Sequence, residues 1–241
     1  MKIFRSQLRQ ELNVMARNGE QLLLLVVIPV ILLVFFSQTD FLPTGNENKI
    51  NFLMPGILSL AVMSTAMVSL GIATGFERSY GVLKRLGTTP LGTRRLVLAK
   101  VSAICVIEVA QLVLLIIVGR LLGWNPNRIN LTQILVLLLI GTSCFAGIGL
   151  TLAGRLRAEF NLAAQNGLYL VLLLLGGIFI SNDELPKKLG DVARFLPSSL
   201  LSSLLRNSFN SNGLVITDAI ALCIWALSVC ALAVISFRWS D

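Results

Sequence analysis

Residues 52–75 read FLMPGILSLAVMSTAMVSLGIATG, and this stretch contains no charged side chain. A helix needs about 20 mainly apolar residues to cross the hydrocarbon core of a bilayer, because no water there can satisfy its backbone groups. The stretch is also rich in Gly, Ala and Ser, and small residues let another helix approach closely. We therefore predict a membrane-spanning helix that packs against protein rather than lipid.

Five further stretches are apolar and long enough to span a bilayer. The predicted spans are 21–38, 52–75, 96–119, 131–154, 162–180 and 214–237. The first is interpreted as a retained helix and not a cleaved signal, because its apolar run is long and no A-x-A-like cleavage site follows it. The predicted fold class is an all-α membrane protein with six transmembrane helices, and residues 1–241 are interpreted as one transmembrane domain.

Composition excludes several classes of protein. Of the 241 residues, 55% are hydrophobic and only 13% are charged, against roughly 25% charged residues in a soluble domain. The absence of histidine removes His-based metal sites and Ser-His-Asp catalysis. No phosphate-binding G-x-x-x-x-G-K-[ST] loop occurs, so ATP is not hydrolysed by that chemistry on this chain. A membrane-embedded enzyme is accordingly disfavoured, and we predict no metal site.

The basic residues predict the orientation of the spans, because Lys and Arg near span ends are preferentially retained in the cytoplasm. Thirteen of the twenty fall on one side of the predicted topology, and both termini are therefore expected to be cytoplasmic. The excess of positive charge is explained by this topology, so it does not indicate nucleic-acid binding. The thirteen are Lys2, Arg5, Arg9, Arg17, Arg78, Lys84, Arg85, Arg94, Arg95, Lys100, Arg155, Arg157 and Arg238.

The segment before the first span, residues 1–20, has the pattern of an amphipathic helix. Phe4, Leu8, Leu12 and Met15 recur at helical spacing, while the basic residues point elsewhere. The pattern is typical of a helix that lies in the cytoplasmic interface with its apolar side chains in the acyl boundary. Two interpretations stay open: an anchor on the lipid surface, or a docking surface for a partner protein.

Two connecting segments also have helical patterns. In residues 76–100, FERSYGVLKRLGTTPLGTRRLVLAK, an apolar side at Val82, Leu83 and Leu86 predicts a short helix that Gly87 ends. The outer loop, about 181–213, alternates leucine-rich helical patterns with prolines, and it predicts two short amphipathic helices that dip into the outer leaflet.

Glu108 is the one acidic residue well inside a predicted span. Burying an ionised carboxylate there costs at least about 2.5 kcal/mol, so the side chain should face a cavity or a partner. Three interpretations compete: a hydrogen-bonded packing residue, a residue that contacts a substrate or cation in a translocation path, and a proton-coupling site. Gln111, three residues further along the same helix face, favours the first two.

Together these features resemble the membrane subunits, or permeases, of type-2 ABC transporters, which are bacterial exporters of drugs, lipids and polysaccharides. The most specific match is ERSYGVLKRLGTTPL, residues 77–91, which is similar to the family pattern E-R-x-x-G-T-L-x-x-L-x-x-T-P-L. Val82 and Ser79 depart from the usual residues. The matching positions are Glu77, Arg78, Gly81, Leu83, Leu86, Thr89, Pro90 and Leu91. A weaker match, similar to the family's outer re-entrant helices, consists of Leu185-Pro186, Phe195-Leu196-Pro197 and Leu205-Arg206.

The resemblance implies a half-transporter in the bacterial cell membrane. Two permease chains, identical or not, would pair with two cytoplasmic ATPase subunits, which use ATP and Mg²⁺, while this chain binds no cofactor. A helix over 77–86 and the helix over 2–17 would form the ATPase docking surface, with Glu77 and Arg78 as polar contacts and Leu83 and Leu86 as apolar anchors. The expected coupling residues are Glu77, Arg78, Gly81, Leu83, Lys84, Leu86, Pro90, Phe4 and Leu8.

The expected function is therefore that of an export permease for an amphiphilic drug or antibiotic-like substrate, with Glu108 and Gln111 as candidates for its path. Export of a lipid or polysaccharide intermediate is the alternative within the family. From a different class, a non-transporting membrane scaffold or immunity subunit stays open.

Overall fold

The structure is a computed structural model, and it describes residues 2–39, 49–89, 92–126, 129–179, 182–210 and 213–236. Every regular element within those ranges is a helix. The helices are α1 (Lys2–Arg17), α2 (Gly19–Gln38), α3 (Lys49–Met63), α4 (Leu70–Ser79), α5 (Val82–Gly87), α6 (Gly92–Leu121), α7 (Leu131–Arg155), α8 (Ala158–Leu175), α9 (Lys187–Ala193), α10 (Pro197–Asn210) and α11 (Ile216–Ser236). A π-helical segment, Ser64–Ser69, joins α3 to α4, and a 3-10 turn lies at Asn182–Glu184.

Six helical stretches among the described residues are long and apolar enough to cross a membrane, which confirms the predicted all-α fold with six spans. They are Gln21–Gln38, Lys49–Ser79, Arg95–Leu121, Leu131–Arg155, Ala158–Leu175 and Ile216–Ser236. The second is longer at both ends than the predicted 52–75, and the fifth begins before the predicted residue 162. Asn161 lies in the added turn of the fifth span and is fully buried, so its polar side chain does not mark a water-exposed end.

The second span lies at the centre of the bundle. In its most apolar stretch 78% of the residues are buried, against 17% in the first span. A Cβ added at Gly56 would lie 2.5 Å from the carbonyl oxygen of Ile178, and one added at Gly149 on α7 would lie 2.5 Å from that of Met67. Small residues therefore let backbones touch on both sides of this helix, as the sequence predicts.

Side-chain amides from the fifth span bind backbone carbonyls beside the π-helical segment. The Asn161 Nδ2 donates to the Gly71 carbonyl over 2.9 Å, and the Gln165 Nε2 donates to the Gly149 carbonyl over 3.0 Å. Both amide side chains are fully buried. A π-helical turn displaces the regular backbone hydrogen bonds, and at membrane depth only protein groups can replace them. These two amides therefore hold α4 and α7 together beside the distorted turn.

The helix α1 is present as predicted, but its apolar side faces the protein. Phe4 and Leu8 are half-buried on the side of α1 that also carries the buried Gln7 and Glu11. This side packs against α6, and α1 also touches α2. The apolar side of α1 therefore contacts α6 through Glu11 and its neighbours, while Phe4 and Leu8 stay half-exposed, and their contact with the acyl boundary stays a prediction.

The outer segment forms the two short helices that the sequence predicts, α9 and α10. The second of them is enclosed by α3, α7 and α11, and Leu201, Leu204 and Leu205 on α10 are fully buried. Arg206 of α10 places its guanidinium 3.8 Å from the centre of the Phe52 ring and donates to the Gly177 carbonyl over 3.0 Å. The segment thus closes this end of the bundle around the start of the second span.

The close approach at Gly149 yields a stability prediction. Gly149→Ala is expected to lower the apparent melting temperature of the purified chain, because the new methyl group meets a backbone oxygen and overpacking costs about 1–3 kcal/mol. The matched control is Gly167→Ala on α8, where an added Cβ meets nothing within 4 Å. Thermal unfolding in mild detergent measures both variants. Equal melting temperatures for the two would contradict the tight packing of α7 against the π-helical segment.

Candidate functional site at the α5 end of the bundle

The second span stops in a tight break rather than continuing into the loop. Helix α4 ends at Ser79, and α5 begins at Val82. Between them Gly81 has φ +71°, a left-handed backbone conformation that glycine adopts without the steric cost of a Cβ. The predicted single helix over 77–86 is therefore wrong. Glu77 lies in the last turn of the second span, before the break.

The short helix α5 is attached to the third span by its apolar side. Leu83 is only 1% exposed and packs with Leu96 of α6, and Leu86 is partly buried against them. On the other side Lys84 and Arg85 are exposed. We call the region where α1, the last turn of α4, α5 and the first turns of α6 meet the α5 end of the bundle.

Lys100 joins three helices at the α5 end. Its Nζ lies 3.0 Å from Oε2 of Glu11 on α1 and 2.7 Å from Oε2 of Glu77 on α4. It also donates to the Glu77 Oε1 over 2.8 Å. The Gln7 Nε2 donates to the Glu11 Oε1 over 2.7 Å, which fixes that carboxylate from its own helix. We call Glu11, Glu77 and Lys100 the carboxylate–lysine cluster.

The carboxylate–lysine cluster is largely buried, so its charged groups must stay paired. The Lys100 side chain is 2% exposed, and those of Glu11 and Glu77 are 11% and 22% exposed. Removing one partner from a buried ion pair leaves a charge without compensation, which is strongly destabilising. The helices α1, α4 and α6 are therefore constrained to keep these three groups together, and a displacement of one helix acts on the other two.

Arg78 attaches the same turn of α4 to the fourth span. Its side chain is buried, and Nη2 donates to the Leu156 carbonyl at the end of α7 over 2.5 Å. Glu77 and Arg78 therefore point into the protein in opposite directions, one to α6 and one to α7. Their predicted role as direct ATPase contacts stays a prediction, since the structure contains no partner chain.

A cavity of about 750 Å³ adjoins the carboxylate–lysine cluster. Its walls come from α1, α2, the π-helical segment, α4, the first residue of α5, α6 and α8. Glu11, Glu77 and Lys100 lie at its polar end, and residues of α2 such as Leu24 and Ile28 line its apolar part. Concave, mainly apolar sites of this volume with a few convergent polar groups are typical of small-molecule binding sites.

The two candidates for a translocation path, Glu108 and Gln111, do not line this cavity. Glu108 is 5% exposed, and its Oε2 accepts a 2.6 Å hydrogen bond from Thr142 Oγ1 on α7. Gln111 accepts from Thr65 Oγ1 over 2.9 Å and donates to the Leu25 carbonyl over 2.7 Å. Gln111 therefore joins the first, second and third spans. Both side chains have the contacts of packing residues, and their part in a path stays a prediction.

Of the predicted coupling residues, Glu77, Arg78, Gly81, Leu83, Lys84 and Leu86 lie on the last turn of α4, the break and α5, whereas Phe4 and Leu8 lie on α1, which packs against α6. Pro90 lies outside the described residues.

Sequence reasoning missed the role of Lys100, which it counted only as a basic residue near a span end. The available signal was its position, since Lys100 falls inside the predicted span 96–119 and a charge there needs a partner. It also missed Asn161 and Gln165. Two amides four residues apart in an apolar stretch share one helix face and indicate an interhelical contact.

The cluster yields a second stability prediction. Lys100→Met is expected to destabilise the chain by about 3–5 kcal/mol, because Glu11 and Glu77 are then buried together without a cation. Glu11→Gln is expected to cost much less, because Lys100 keeps Glu77. Thermal unfolding in detergent measures both. Adding Glu77→Gln to Lys100→Met is expected to recover part of the loss, and no difference between Lys100→Met and the unmodified chain would contradict this role.

Glu108 yields a third prediction. Glu108→Gln is expected to leave the apparent melting temperature unchanged or higher, because the amide oxygen still accepts the Thr142 hydroxyl and no charge is buried. The same unfolding measurement tests it, with Glu108→Leu as the variant that removes the acceptor. A large fall in melting temperature for Glu108→Gln would show that the ionised carboxylate itself holds α6 against α7.

Comparison with known proteins agrees with this architecture. The profile of the family described as ABC-2 type transporter matches residues 3–210. The chain is also 25% identical over 204 residues to the "Putative transport permease YvfS" of Bacillus subtilis (strain 168), and the match covers 82% of each protein. The family match covers both the α5 end and the outer helices α9 and α10. The chain therefore belongs to the ABC-2 type transporter family, as a multi-pass membrane permease and a non-catalytic transporter subunit.

Proposed function

We propose that this chain is the membrane-spanning half of an ATP-driven exporter of an amphiphilic, drug-like substrate. Two permease chains form the path, and two separate ATPase subunits bind ATP and Mg²⁺. The observation that carries the proposal is the α5 end, where a short helix with an exposed basic side is clamped to the third span and joined to the second. A partner protein that binds the exposed side of α5 can therefore displace the second and third spans together.

The α5 end faces the cytoplasm in this proposal, and so do both chain termini. The exposed basic residues at this end support that orientation, because Lys and Arg flanking spans are retained inside. They include Arg5, Arg9, Arg17, Lys84 and Arg85. A bacterial cell membrane is the location that follows from this arrangement and from the family.

Transmission of movement follows from the contacts of α5 and α4. A partner can shift a conformational equilibrium only through contacts that differ between the two states. An ATPase that pushes on the exposed side of α5 displaces Leu83 against Leu96, and hence the third span. The same push acts on Glu77 and Arg78, which carry it to α6 and α7. Glu77 and Arg78 therefore serve as transmission residues, whether or not they also touch the ATPase.

The cavity beside the cluster supports an amphiphilic substrate. One part of its wall is apolar and the other holds three charged side chains, so a molecule with an apolar body and a polar head matches both parts. A lipid intermediate meets the same requirement and is the second candidate. A scaffold or immunity subunit has no need of ATPase partners, and purification of the chain with no ATPase bound would favour that class.

The coupling role yields a fourth prediction. Glu77→Ala and Arg78→Ala are each expected to leave the complex with its ATPase assembled but to reduce substrate-stimulated ATP hydrolysis and transport at least about fivefold, the low end of usual coupling energies. The physical reason is that each change detaches α4 from one neighbouring span. Reconstituted proteoliposomes supply both readouts.

The matched control is Lys187→Ala, an exposed residue of α9 at the opposite end of the bundle. That variant is expected to keep full coupling. If Glu77→Ala and Arg78→Ala transport as well as this control, the α4–α5 break does not transmit movement.

A further inference from the structure

The charged groups at the polar end of the cavity are not equally accessible. All three line the cavity, but the Lys100 side chain is 2% exposed, whereas those of Glu11 and Glu77 are 11% and 22% exposed, so the carboxylates present more surface than the ammonium. Two carboxylates and one ammonium also leave the cluster with a net negative charge. A molecule that enters the cavity therefore meets an anionic surface.

Aromatic rings stand beside these carboxylates. Phe76 of α4 and Tyr80, which directly follows α4, line the cavity and stack with their ring centres 5.9 Å apart. Tyr80 is 73% exposed, so its ring is not enclosed by protein and is accessible to a ligand. Tyr169 of α8 lines the cavity as well. The faces of aromatic rings attract cations, most strongly cations with weak hydration.

The basic residues near the cavity point away from it. Among the described residues Lys100 is the one basic side chain in its wall. Arg17 at the end of α1 and Lys84 and Arg85 on α5 are exposed and do not line it. The negative charge of the polar end is therefore not neutralised by a second cation inside the cavity.

The apolar part of the cavity is built on the π-helical segment. Val68 of this segment and Ile28 and Pro29 of α2 line it, and Gln21 of α2 donates a 2.7 Å hydrogen bond to Ser69 Oγ at its edge. This bond joins the first span to the second at the edge of the cavity. The space between them is therefore a built site, with an apolar wall on each side, and a π-helical distortion is frequent at such sites.

We propose that this cavity binds a lipophilic cation, with the cationic head at the carboxylates of Glu11 and Glu77 and the ring of Tyr80, and the apolar body between α2 and the π-helical segment. The inference rests on the proposed function in taking this ligand to be the exported substrate. The binding site itself depends only on the cavity. It lies within one permease chain, so it does not require the second copy.

The test measures binding to the full chain in nanodiscs of zwitterionic lipid, without ATPase. Radiolabelled tetraphenylphosphonium is the probe, tetraphenylborate is the anion of matching shape, and empty nanodiscs measure partition into lipid. We expect saturable binding of the cation that the anion does not displace. Equal saturable binding of the two ions, or no binding above that of empty nanodiscs, overturns the proposal.

Two pairs of variants locate the site. Ala73→Trp fills the cavity that Ala73 lines and is expected to abolish binding, while Ala163→Trp on an exposed face of α8 leaves it unchanged. Tyr80→Ala is expected to weaken binding roughly two- to fivefold, the worth of an exposed cation–π contact, while Phe160→Ala, another exposed ring, does not. Binding that is insensitive to both Ala73→Trp and Tyr80→Ala overturns the location.

A double variant tests the charge. Glu11→Gln with Glu77→Gln leaves Lys100 as the remaining charge in the wall, so the preference is expected to change from tetraphenylphosphonium to tetraphenylborate. A folded double variant that keeps the preference for the cation overturns the role of the carboxylates. Failure of ATPase coupling in proteoliposomes, with this binding pattern intact, removes the proposed function and leaves the site.

Discussion

The α5 end of the bundle depends on the ion pairs that the ammonium group of Lys100 forms with Glu11 and Glu77. A lysine in a membrane span is expensive unless anionic groups surround it, and here Glu11 and Glu77 supply them from two other helices. This requirement holds α1 against α6. It also holds the last turn of the second span, which carries Glu77, against α6. Helix α5 is consequently held on one side by its apolar contact with α6 and on the other by a short link to α4.

The same bundle contains a second polar joint, deeper in the membrane, at Asn161 and Gln165. These amides are neutral, and they bind backbone carbonyls of α4 and α7 instead of side chains. Neutral amides cost far less to bury than charges, and glycines on both partner helices let the backbones come within reach. The contact at the α5 end is thus sensitive to a change of charge, whereas the contact of Asn161 and Gln165 is sensitive to a change in helix packing.

The six spans and the short helix α5 could be predicted from the sequence, because length and apolar periodicity are local properties of the chain. The break at Gly81 was not predicted, since a glycine beside a polar turn fits either a continued helix or a stop, and the choice depends on how Leu83 packs on α6. The contact of this side of α1 with α6 of the same chain was also not predicted. Apolar spacing identified the correct face, but Gln7 and Glu11 on that face point to a protein neighbour rather than lipid only when Lys100 is known to be there. The cavity was not predicted, because its wall is formed by six α-helices and the π-helical segment together, and no local pattern of sequence indicates it.

The carboxylate of Glu77 pairs with Lys100 and also lines the cavity. It therefore connects the proposed coupling to an ATPase with the proposed binding of a cation. A cation bound in the cavity competes with Lys100 for the same negative charge, so it weakens the hold of α6 on the last turn of α4. Coupling between two sites is reciprocal: a movement of α5 that changes the distance between Glu77 and Lys100 must change the affinity of the cavity for a cation by the corresponding factor. An exporter needs this relation, because it must hold its substrate in one state and release it in the other. Glu77, at the end of the second span, is the side chain through which the position of α5 would change the affinity of the cavity for a cation.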